Sequence, residues 1–251
     1  MKKLVFLTFL FALFPSCSSG DSATPSGAIL VKRIVETDPA GVFTFNYTYN
    51  GNKMVESVLS ATNYIRRGVY TYTGDLITKT EFFDISNTLV ESDVYNYNSN
   101  NLLESYVKLN YNTGTGARVT YTYNADGSIS SIGYSGDLIN QDTVASHNTI
   151  TLGADEIFSH DEDLGTITKR SVFIYDTKNN PFKNVTGYNK LAYARIGSFS
   201  SAINHNLTEC LYTENGLPVS TTYYHLTYNS NDFPTTLTAG SNTNAVTYYY
   251  Y

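Results

Sequence analysis

Apolar and polar residues alternate along most of this chain with a period of two. In the first clear example, every second residue is aromatic: Phe43, Phe45, Tyr47 and Tyr49. The residues before and between them are Val42, Thr44, Asn46 and Thr48. Successive side chains of a strand point to opposite faces, so this pattern predicts a half-buried β-strand. The strand ends at Asn50-Gly51, a pair suited to the tight turn of a β-hairpin.

The same phrase returns along the chain: an aromatic residue, any residue, a tyrosine, a polar turn and a small apolar anchor. The copies read FNYTYNGNKMV at 45–55, GVYTYTGDLI at 68–77, DVYNYNSNNLL at 93–103, VTYTYNADGSI at 119–129, SVFIYDTKNNPF at 171–182, LYTENGLPV at 211–219 and HLTYNSNDF at 225–233. The anchors after the turns are Val55, Leu76, Leu102, Ile129, Phe182, Leu217 and Phe233.

The second tyrosines of the copies are Tyr49, Tyr72, Tyr97, Tyr123, Tyr175, Tyr212 and Tyr228. The first spacings are 23, 25 and 26 residues, and the next is 52, which predicts a degenerate copy between 123 and 175. A regular period in this range indicates an array of supersecondary units. We therefore predict an all-β fold, an antiparallel meander of repeated β-hairpins curled into a rolled sheet or an open barrel or shell. A helical turn is expected only within 198–206.

The aromatic rows are the leading candidate for function. They comprise Tyr47, Tyr49, Tyr70, Tyr72, Tyr95, Tyr97, Tyr121, Tyr123 and Tyr175. Exposed aromatic rows can bind sugars or peptides, whereas inward-facing rows pack the core through cross-strand pairs. Core packing is the favoured interpretation, because the chain has no Trp to build a sugar platform.

The first residues predict export. Lys2 and Lys3 precede an eleven-residue run, Leu4–Phe14, that is apolar except for Thr8. Such a run is too short to cross a bilayer and has the length of a signal-peptide core. Cys17 follows Ser16 in a setting that resembles the lipobox of bacterial lipoproteins, which implies cleavage before Cys17 and lipidation of its side chain. The alternative is an ordinary secretory signal with an incidental cysteine.

These features divide the chain into a lipoprotein signal peptide at 1–16, a small, polar, flexible tether at 17–28 and one hairpin-repeat domain at 29–251. Removing the signal peptide takes two of the 16 basic residues, so 14 remain against 22 acidic ones, a formal net charge of −8. That balance argues against a nucleic-acid partner, which requires a basic surface. With Cys17 lipidated, Cys210 is the remaining cysteine, and no intrachain disulfide is expected.

A transmembrane barrel is the alternative architecture. Its lipid-facing rows would have to be steadily apolar. Here Thr, Ser and Asn fill one face, and Glu56, Lys79 and Glu81 interrupt the return strands. The chain also ends in aromatic residues, as the last strand of such barrels often does.

The Tyr-x-Tyr-Asn-x-x-Gly/Asn-x-Leu copies over roughly 42–251 resemble the YD-repeat lipoproteins of gram-negative bacteria, which are distantly similar to Rhs-type proteins. Tyr-Asp itself occurs at Tyr175-Asp176, whereas the other copies place Asn or Thr in the Asp position. The resemblance implies a long antiparallel meander that curls into a shell. It implies no catalytic residue.

Few other residues suggest chemistry. Asp155, Glu156 and the run 160–163 (His-Asp-Glu-Asp) form an acidic cluster whose spacing matches no known calcium loop, so a solvated loop is the favoured interpretation. The four histidines form no zinc motif, and no nucleophile elbow or phosphate loop is present. We predict no metal, no cofactor and no catalytic residues.

Taken together, the sequence predicts a protein of the cell envelope, anchored by lipid on Cys17 to the outer membrane. The predicted role is that of a non-enzymatic scaffold or binding module. Its partners would be the membrane and a glycan or envelope protein. The alternative is a glycan-binding accessory protein or a glycan hydrolase, which would show converging carboxylates in a concave site.

Overall fold

The computed structural model describes residues 27–62, 64–196, 202–240 and 244–251, without the side chains of Arg195 and Asn244. The predicted signal peptide, Cys17 and nearly all of the tether lie outside the described residues. No helix in the described part of the chain is long and apolar enough to cross a membrane.

The described residues contain sixteen β-strands and one 3₁₀ helix. The strands are β1 (Val31–Asp38), β2 (Gly41–Asn50), β3 (Lys53–Ala61), β4 (Tyr64–Thr73), β5 (Leu76–Phe83), β6 (Leu89–Tyr97), β7 (Leu103–Asn110), β8 (Thr115–Tyr123), β9 (Ile129–Asp137), β10 (Thr143–Gly153), β11 (Glu156–Asp163), β12 (Thr168–Tyr175), β13 (Leu207–Glu214), β14 (Leu217–Tyr228), β15 (Pro234–Ala239) and β16 (Asn244–Tyr250). The 3₁₀ helix is Tyr188–Arg195.

The strands form one antiparallel meander that closes on itself. Each strand pairs with the next along the chain, and β16 returns to β1 with Tyr248 opposite Ile34 and Tyr250 opposite Val31. The predicted all-β meander of hairpins is confirmed. The observed form is a closed barrel, which leaves neither β1 nor β16 as an unpaired edge.

The barrel has two different ends. One end, which we call the plugged end, contains both ends of the domain and the long connection after β12. It also contains the turns after β2, β4, β6, β8, β10 and β14. The alternate connections, beginning with the turn between β1 and β2, lie at the other end, which we call the mouth.

Along each strand, the side chains at the tyrosine positions face the barrel interior, and the side chains between them face outward. Tyr47 and Tyr49 are buried, whereas Thr48 between them is exposed. Cross-strand partners share a face, so the register places charged side chains on the outer wall of many strands. These are Arg33, Glu56, Arg67, Lys79, Glu81, Arg118, Asp161, Arg170 and Glu209. Over the described strands, these charges interrupt the apolar band that a lipid-spanning barrel needs.

The register also corrects the repeat. Tyr212 lies near the mouth, where its hydroxyl donates to Glu214 at 3.1 Å. The copy LYTENGLPV therefore has its turn at the mouth, whereas the other copies reach their turns at the plugged end. The degenerate copy predicted between 123 and 175 lies on β10, where Ile150 and Leu152 take the positions of the two tyrosines. Tyr248 and Tyr250 on β16 form a further copy.

The buried anchors after the first three turns are Met54, Ile77 and Leu103, each one residue away from the predicted Val55, Leu76 and Leu102. The difference arises because the turn pairs the second tyrosine of each copy directly with these residues, and cross-strand partners share a face. Leu217 is 70% exposed at the mouth, so it is no anchor.

The connection between β12 and β13 is described at 176–196 and 202–206. Its residues Phe182, Val185, Tyr188 and Leu191 pack into the core inside the barrel. We call the described residues of this connection the plug. Phe182, predicted as a strand anchor, lies in the plug instead, where its ring stacks on Tyr188 with centroids 4.4 Å apart. Of the predicted helical turn within 198–206, residues 198–201 lie outside the described residues, and 202–206 are bends and coil. The 3₁₀ helix at Tyr188–Arg195 was not predicted.

Candidate binding site

A belt of tyrosine hydroxyls joins neighbouring hairpins at the plugged end. Tyr49 donates to the carbonyl of Val31 at 2.7 Å, and Tyr97 donates to that of Ile77 at 2.8 Å. Equivalent bonds run from Tyr123 to Leu103, from Tyr175 to Ile157 and from Tyr250 to Pro234, at 3.0, 3.0 and 2.7 Å. The second tyrosine of the repeat therefore ties its hairpin to the return strand of the preceding one, and this end of the barrel is a structural belt.

The belt tyrosines are held in their neutral form. Burial raises the pKa of Tyr49 far above its usual value, and nearby tyrosines add to the effect. Burial also raises the pKa of Tyr123 and Tyr175. A neutral phenol can donate the hydrogen bond on which the belt depends.

All nine tyrosines singled out by sequence lie on the inner wall. Four of them are buried: Tyr47, Tyr49, Tyr95 and Tyr121. The other five are partly buried and pack against the core: Tyr70, Tyr72, Tyr97, Tyr123 and Tyr175. The rows are therefore spread around the barrel interior, and only Tyr95 borders the cavity described below.

Glu156 fastens the end of the plug to the wall. The residue is 3% exposed, and its carboxylate accepts the backbone N–H groups of Ile203, Asn204 and His205 at 2.7, 2.6 and 2.7 Å. The Nδ1 atom of His205 lies 3.1 Å from the same carboxylate. The acidic cluster was expected to be a solvated loop, and that expectation was wrong, because Glu156–Asp163 is strand β11.

Asp176 performs a similar task where the plug leaves β12. It accepts the backbone N–H of Asn206 at 3.0 Å, and the Tyr228 hydroxyl donates to its other oxygen. Thr186, midway along the plug, donates its N–H to Asn52 at 2.9 Å and accepts the Tyr72 hydroxyl at 3.3 Å. The plug is thus bound to the barrel at both ends and in the middle.

A cavity of about 490 Å³ lies inside the barrel toward the mouth. Its wall comes from strands β2 to β7, and Ala194 and Ile196 of the plug form part of its lining. The wall residues are Phe45, Ser57, Leu59, Arg66, Phe82, Glu91, Asp93, Tyr95, Tyr106 and Lys108. This volume is within the range of small-molecule sites.

One carboxylate in the cavity holds two cations. Glu91 is buried, and its Oε1 lies 2.7 Å from Arg66 Nη2 and 3.2 Å from Lys108 Nζ. The guanidinium of Arg66 also lies over the ring of Phe82, 4.1 Å from its centroid. Together with Asp93, the lining contains two cationic and two acidic side chains.

The second carboxylate receives tyrosine hydroxyls. Tyr106 donates to Asp93 at 3.0 Å and Tyr95 donates to its other oxygen at 3.3 Å. The two rings are stacked, with centroids 5.4 Å apart and planes 17° apart. Asp93 and the two rings therefore form one packed unit.

Sequence reasoning named Tyr95 in this cavity but missed its charged members. The alternation along β6 could have identified Glu91 and Asp93 as inward-facing, because they precede Tyr95 and Tyr97 in steps of two and share their face. Arg66 and Lys108 could not be found in this way, because their meeting with Glu91 depends on the pairing of four strands, β4 to β7.

Two other titratable side chains, Cys210 and His160, are partly buried. Burial raises the pKa of the Cys210 thiol, and burial lowers the pKa of His160 on the inner wall. Among the described residues, no group of three or more His, Cys, Asp or Glu side chains could hold a metal ion.

A larger open depression of about 650 Å³ crosses β9 to β13. Its lining includes the exposed pair Asp161 and Arg170, whose side chains are 2.8 Å apart. This depression has no plug residue in its lining.

Comparison with known proteins yields matches in structure alone. No protein-family model matches the chain, and no curated protein sequence matches it. A porin-like protein from Bacteroides uniformis superposes with a TM-score of 0.53 at 14% identity, covering 89% of this chain and 96% of that one. A porin-like protein from Bacteroides vulgatus gives a TM-score of 0.49 at 10% identity, covering 89% and 99%. The first of these likenesses shows the fold of this chain: it is similar to that of a porin-like β-barrel.

Proposed function

We propose that this chain is a lipid-tethered, non-enzymatic binding protein of the outer membrane, whose plugged barrel acts as a cup that receives a small ligand at its mouth. The cavity between the plug and the mouth supports this proposal most directly, since it brings aromatic rings, two cations and two carboxylates into one concave site. Concave sites with a few convergent polar groups are the usual form of ligand pockets.

The position of the chain ends supports an orientation for the cup. The backbone N–H of Tyr251 donates to Leu30 at 3.0 Å, and Asn184 of the plug donates to Ile29 at 2.9 Å. Both ends of the domain therefore meet at the plugged end. The tether of twelve residues, 17–28, spans at most about 40 Å when fully extended. A lipid on Cys17 would hold the plugged end toward the bilayer and leave the mouth facing away.

The outer wall is compatible with a tethered barrel that does not span the bilayer. Lys79 and Glu81 form an ion pair at 2.7 Å on the outward face of β5. A charged pair is costly on a lipid-facing surface and is readily accommodated in water. The similarity to porin-like structures is thus a similarity of architecture, and the proposal assigns no channel.

The anchor predicts the behaviour of a single variant. Replacing Cys17→Ala should release the protein from the membrane fraction, because no acyl chain can then be attached. The measurement is detergent partitioning and membrane sedimentation of the full chain. Cys210→Ser is the matched control and should remain membrane-bound. Equal retention of Cys17→Ala and the unaltered protein would exclude the lipid anchor.

A bulky substitution can test the mouth as the binding site. Leu59→Trp adds a large ring to the cavity wall and should reduce binding of envelope polysaccharide to the full-length protein in detergent at least tenfold. Ala125→Trp, on an exposed turn of the plugged end, adds the same ring and should leave binding unchanged. Binding is measured by biolayer interferometry on immobilised protein. Equal binding by the two variants would contradict a ligand site at the mouth.

The cavity geometry favours binding over glycoside hydrolysis. A hydrolase needs two carboxylates placed on either side of the scissile bond, one of them able to donate a proton. Glu91 is instead engaged by Arg66 and Lys108, and both oxygens of Asp93 receive tyrosine hydroxyls. Release of reducing ends from the polysaccharide in the binding experiment would favour the hydrolase.

A further inference from the structure

We infer that the rim of the mouth docks a cationic amphipathic polypeptide, a segment that combines Lys or Arg with apolar side chains. The rim consists of five consecutive mouth turns with their flanking residues, at 84–88, 111–114, 137–142, 163–167 and 214–217. The residues that line the mouth cavity belong to other segments, so the inference goes beyond the proposed function.

Every turn of the rim exposes a large apolar side chain. Ile85, Ile139 and Leu217 are 71%, 85% and 70% exposed, and Tyr111 and Leu164 are exposed to a smaller extent. The meander keeps the strands in chain order, so neighbouring turns of the rim lie two strand spacings, or about 10 Å, apart. Single exposed apolar residues are ordinary, but a run of them along one edge indicates an interaction surface.

The opposite end of the barrel lacks such a run. Its described turns contain no exposed large apolar side chain: 51–52, 74–75, 98–102, 124–128, 154–155 and 229–233. Both ends are built from tight turns between antiparallel strands. Turn geometry alone therefore does not require the apolar residues of the rim.

Carboxylates stand beside the exposed apolar residues. Asp137 accepts the backbone N–H of Ile139 at 2.7 Å, and Asp163 accepts that of Gly165 at 2.7 Å. Asp84 accepts two backbone N–H groups of its own turn, each at 2.9 Å. Backbone hydrogen bonds hold the pKa of Asp137 below its usual value, so this carboxylate is charged at neutral pH.

The rim as a whole is acidic. It contains no Lys or Arg, and its acidic residues are Asp84, Asp137, Asp142, Asp163 and Glu214. Three strand residues bring cations to it: Arg67 beside Asn87, Arg118 beside Asp142 and Lys169 opposite Glu214. Arg67 and Lys169 each face a further carboxylate, Glu56 at 3.4 Å and Glu162 at 3.8 Å. The acidic side chains therefore outnumber the cations, and the rim attracts cationic partners.

This charge selects the occupant. An anionic lipid surface would bring like charges against the rim, and so would the rim of a second copy of the chain. A polypeptide with Lys or Arg next to apolar residues can pair with the carboxylates and cover the exposed Ile and Leu side chains at the same time. A helix of about 14 residues is about 21 Å long, which is enough to cross three neighbouring turns.

The test uses three synthetic peptides of about 14 residues, the length argued above. The first combines Leu and Lys in a helical pattern, the second replaces Lys by Glu, and the third replaces Leu by Ser. Binding is measured by biolayer interferometry on the full-length protein held in phosphatidylcholine nanodiscs, with empty nanodiscs subtracted. The Leu–Lys peptide should bind at least tenfold more tightly than either of the others. A Leu–Glu peptide that binds as well would refute the role of charge, and a Ser–Lys peptide that binds as well would refute the apolar contact.

Substitution of the exposed apolar residues locates the contact. The double variant Ile139→Ser with Leu217→Ser should weaken binding of the Leu–Lys peptide at least tenfold. Both residues are exposed, so the barrel should keep its stability. The matched control is Phe158→Ser with Ile174→Ser, which removes two exposed apolar residues from strands β11 and β12 and should bind as the unaltered protein does.

A second pair of variants isolates the charge. Asp137→Asn with Asp163→Asn keeps an oxygen acceptor for each turn, removes two charges and should weaken binding of the Leu–Lys peptide at least threefold. Asp75→Asn with Asp126→Asn removes two charges from turns of the plugged end and should leave binding unchanged. Equal weakening by the two pairs would mean that only the net charge of the protein matters, which would overturn the inference.

Two further outcomes would assign the rim to another occupant. Sedimentation velocity of the full-length protein in detergent should show no association that depends on Ile139 and Leu217, since such association would make a second copy the partner. Flotation with phosphatidylglycerol vesicles should show no binding of the Cys17→Ala protein that depends on the same two residues. Either dependence, or unchanged peptide binding in the Ile139→Ser and Leu217→Ser variant, would overturn the inference.

Discussion

Replacing Glu156 with alanine is expected to free the end of the plug from the barrel wall. The carboxylate is nearly fully buried and accepts three consecutive backbone N–H groups, from Ile203 to His205. Alanine leaves these donors without their acceptor, and hydrogen bonds to charged groups contribute about 1.5–3 kcal/mol each. The expected loss in the free energy of unfolding is on the order of 3–5 kcal/mol, the range for breaking a buried charged contact.

The measurement combines two readouts. Urea denaturation reports the free energy of unfolding, and amide hydrogen exchange reports opening of the segment 202–206. Glu156→Gln keeps the shape but removes the charge and should give an intermediate loss. Glu162→Ala removes a partly exposed carboxylate from the same strand, where Lys169 lies 3.8 Å away, and should change stability by less than about 1 kcal/mol. Unchanged exchange at 202–206 in Glu156→Ala would show that the plug does not depend on this contact.

Alkaline pH is expected to unfold the barrel cooperatively. Burial raises the pKa of Tyr49, Tyr121 and Tyr248 above the ordinary value of 10.0. Below pH 10, both the folded and the unfolded chain keep these protons, so stability does not depend on them. Above pH 10 the unfolded chain releases protons that the folded chain retains, which favours unfolding. Each such tyrosine costs about 1.4 kcal/mol per pH unit beyond that point.

The experiment follows urea unfolding from pH 8 to pH 11 together with the absorbance of tyrosinate. Stability should be flat up to pH 10 and fall steeply above it, and tyrosinate should appear together with unfolding. Tyr121→Phe removes one titrating group and should reduce the slope above pH 10 by about 1.4 kcal/mol per pH unit. Titration of the buried tyrosines near pH 10 in a protein that stays folded would contradict the prediction.

The two predictions test different parts of the architecture. The alkaline transition reports on the tyrosines of the inner wall, which the repeat supplies on nearly every hairpin. The Glu156 substitution reports on one contact between β11 and a segment about 48 residues further along the chain. A barrel that keeps its tyrosine packing but loses its plug would leave the mouth cavity without Ala194 and Ile196 in its lining.

The comparison between sequence and structure is clearest in three elements. The strand Gly41–Asn50 and its turn were predictable, because the pleat fixes a two-residue period and Gly takes positive φ at Gly51 without cost. Tyr212 was misassigned, because Asn215-Gly216 is a good hairpin turn at either end of a barrel. Glu156 was misread, because its partners come from the plug, which no local pattern brings to it.

The sequence by itself determined the hairpins, the parity of their faces and the all-β class. It did so because turn chemistry and side-chain alternation are local properties of the backbone. Only the tertiary structure decided that the sixteen described strands close through β1 and β16, that the plug packs inside the barrel, and that Arg66, Glu91 and Lys108 meet in one cavity. These features depend on the accumulated twist and stagger of the whole sheet and on contacts between distant residues, so they emerge only when all the strands are paired.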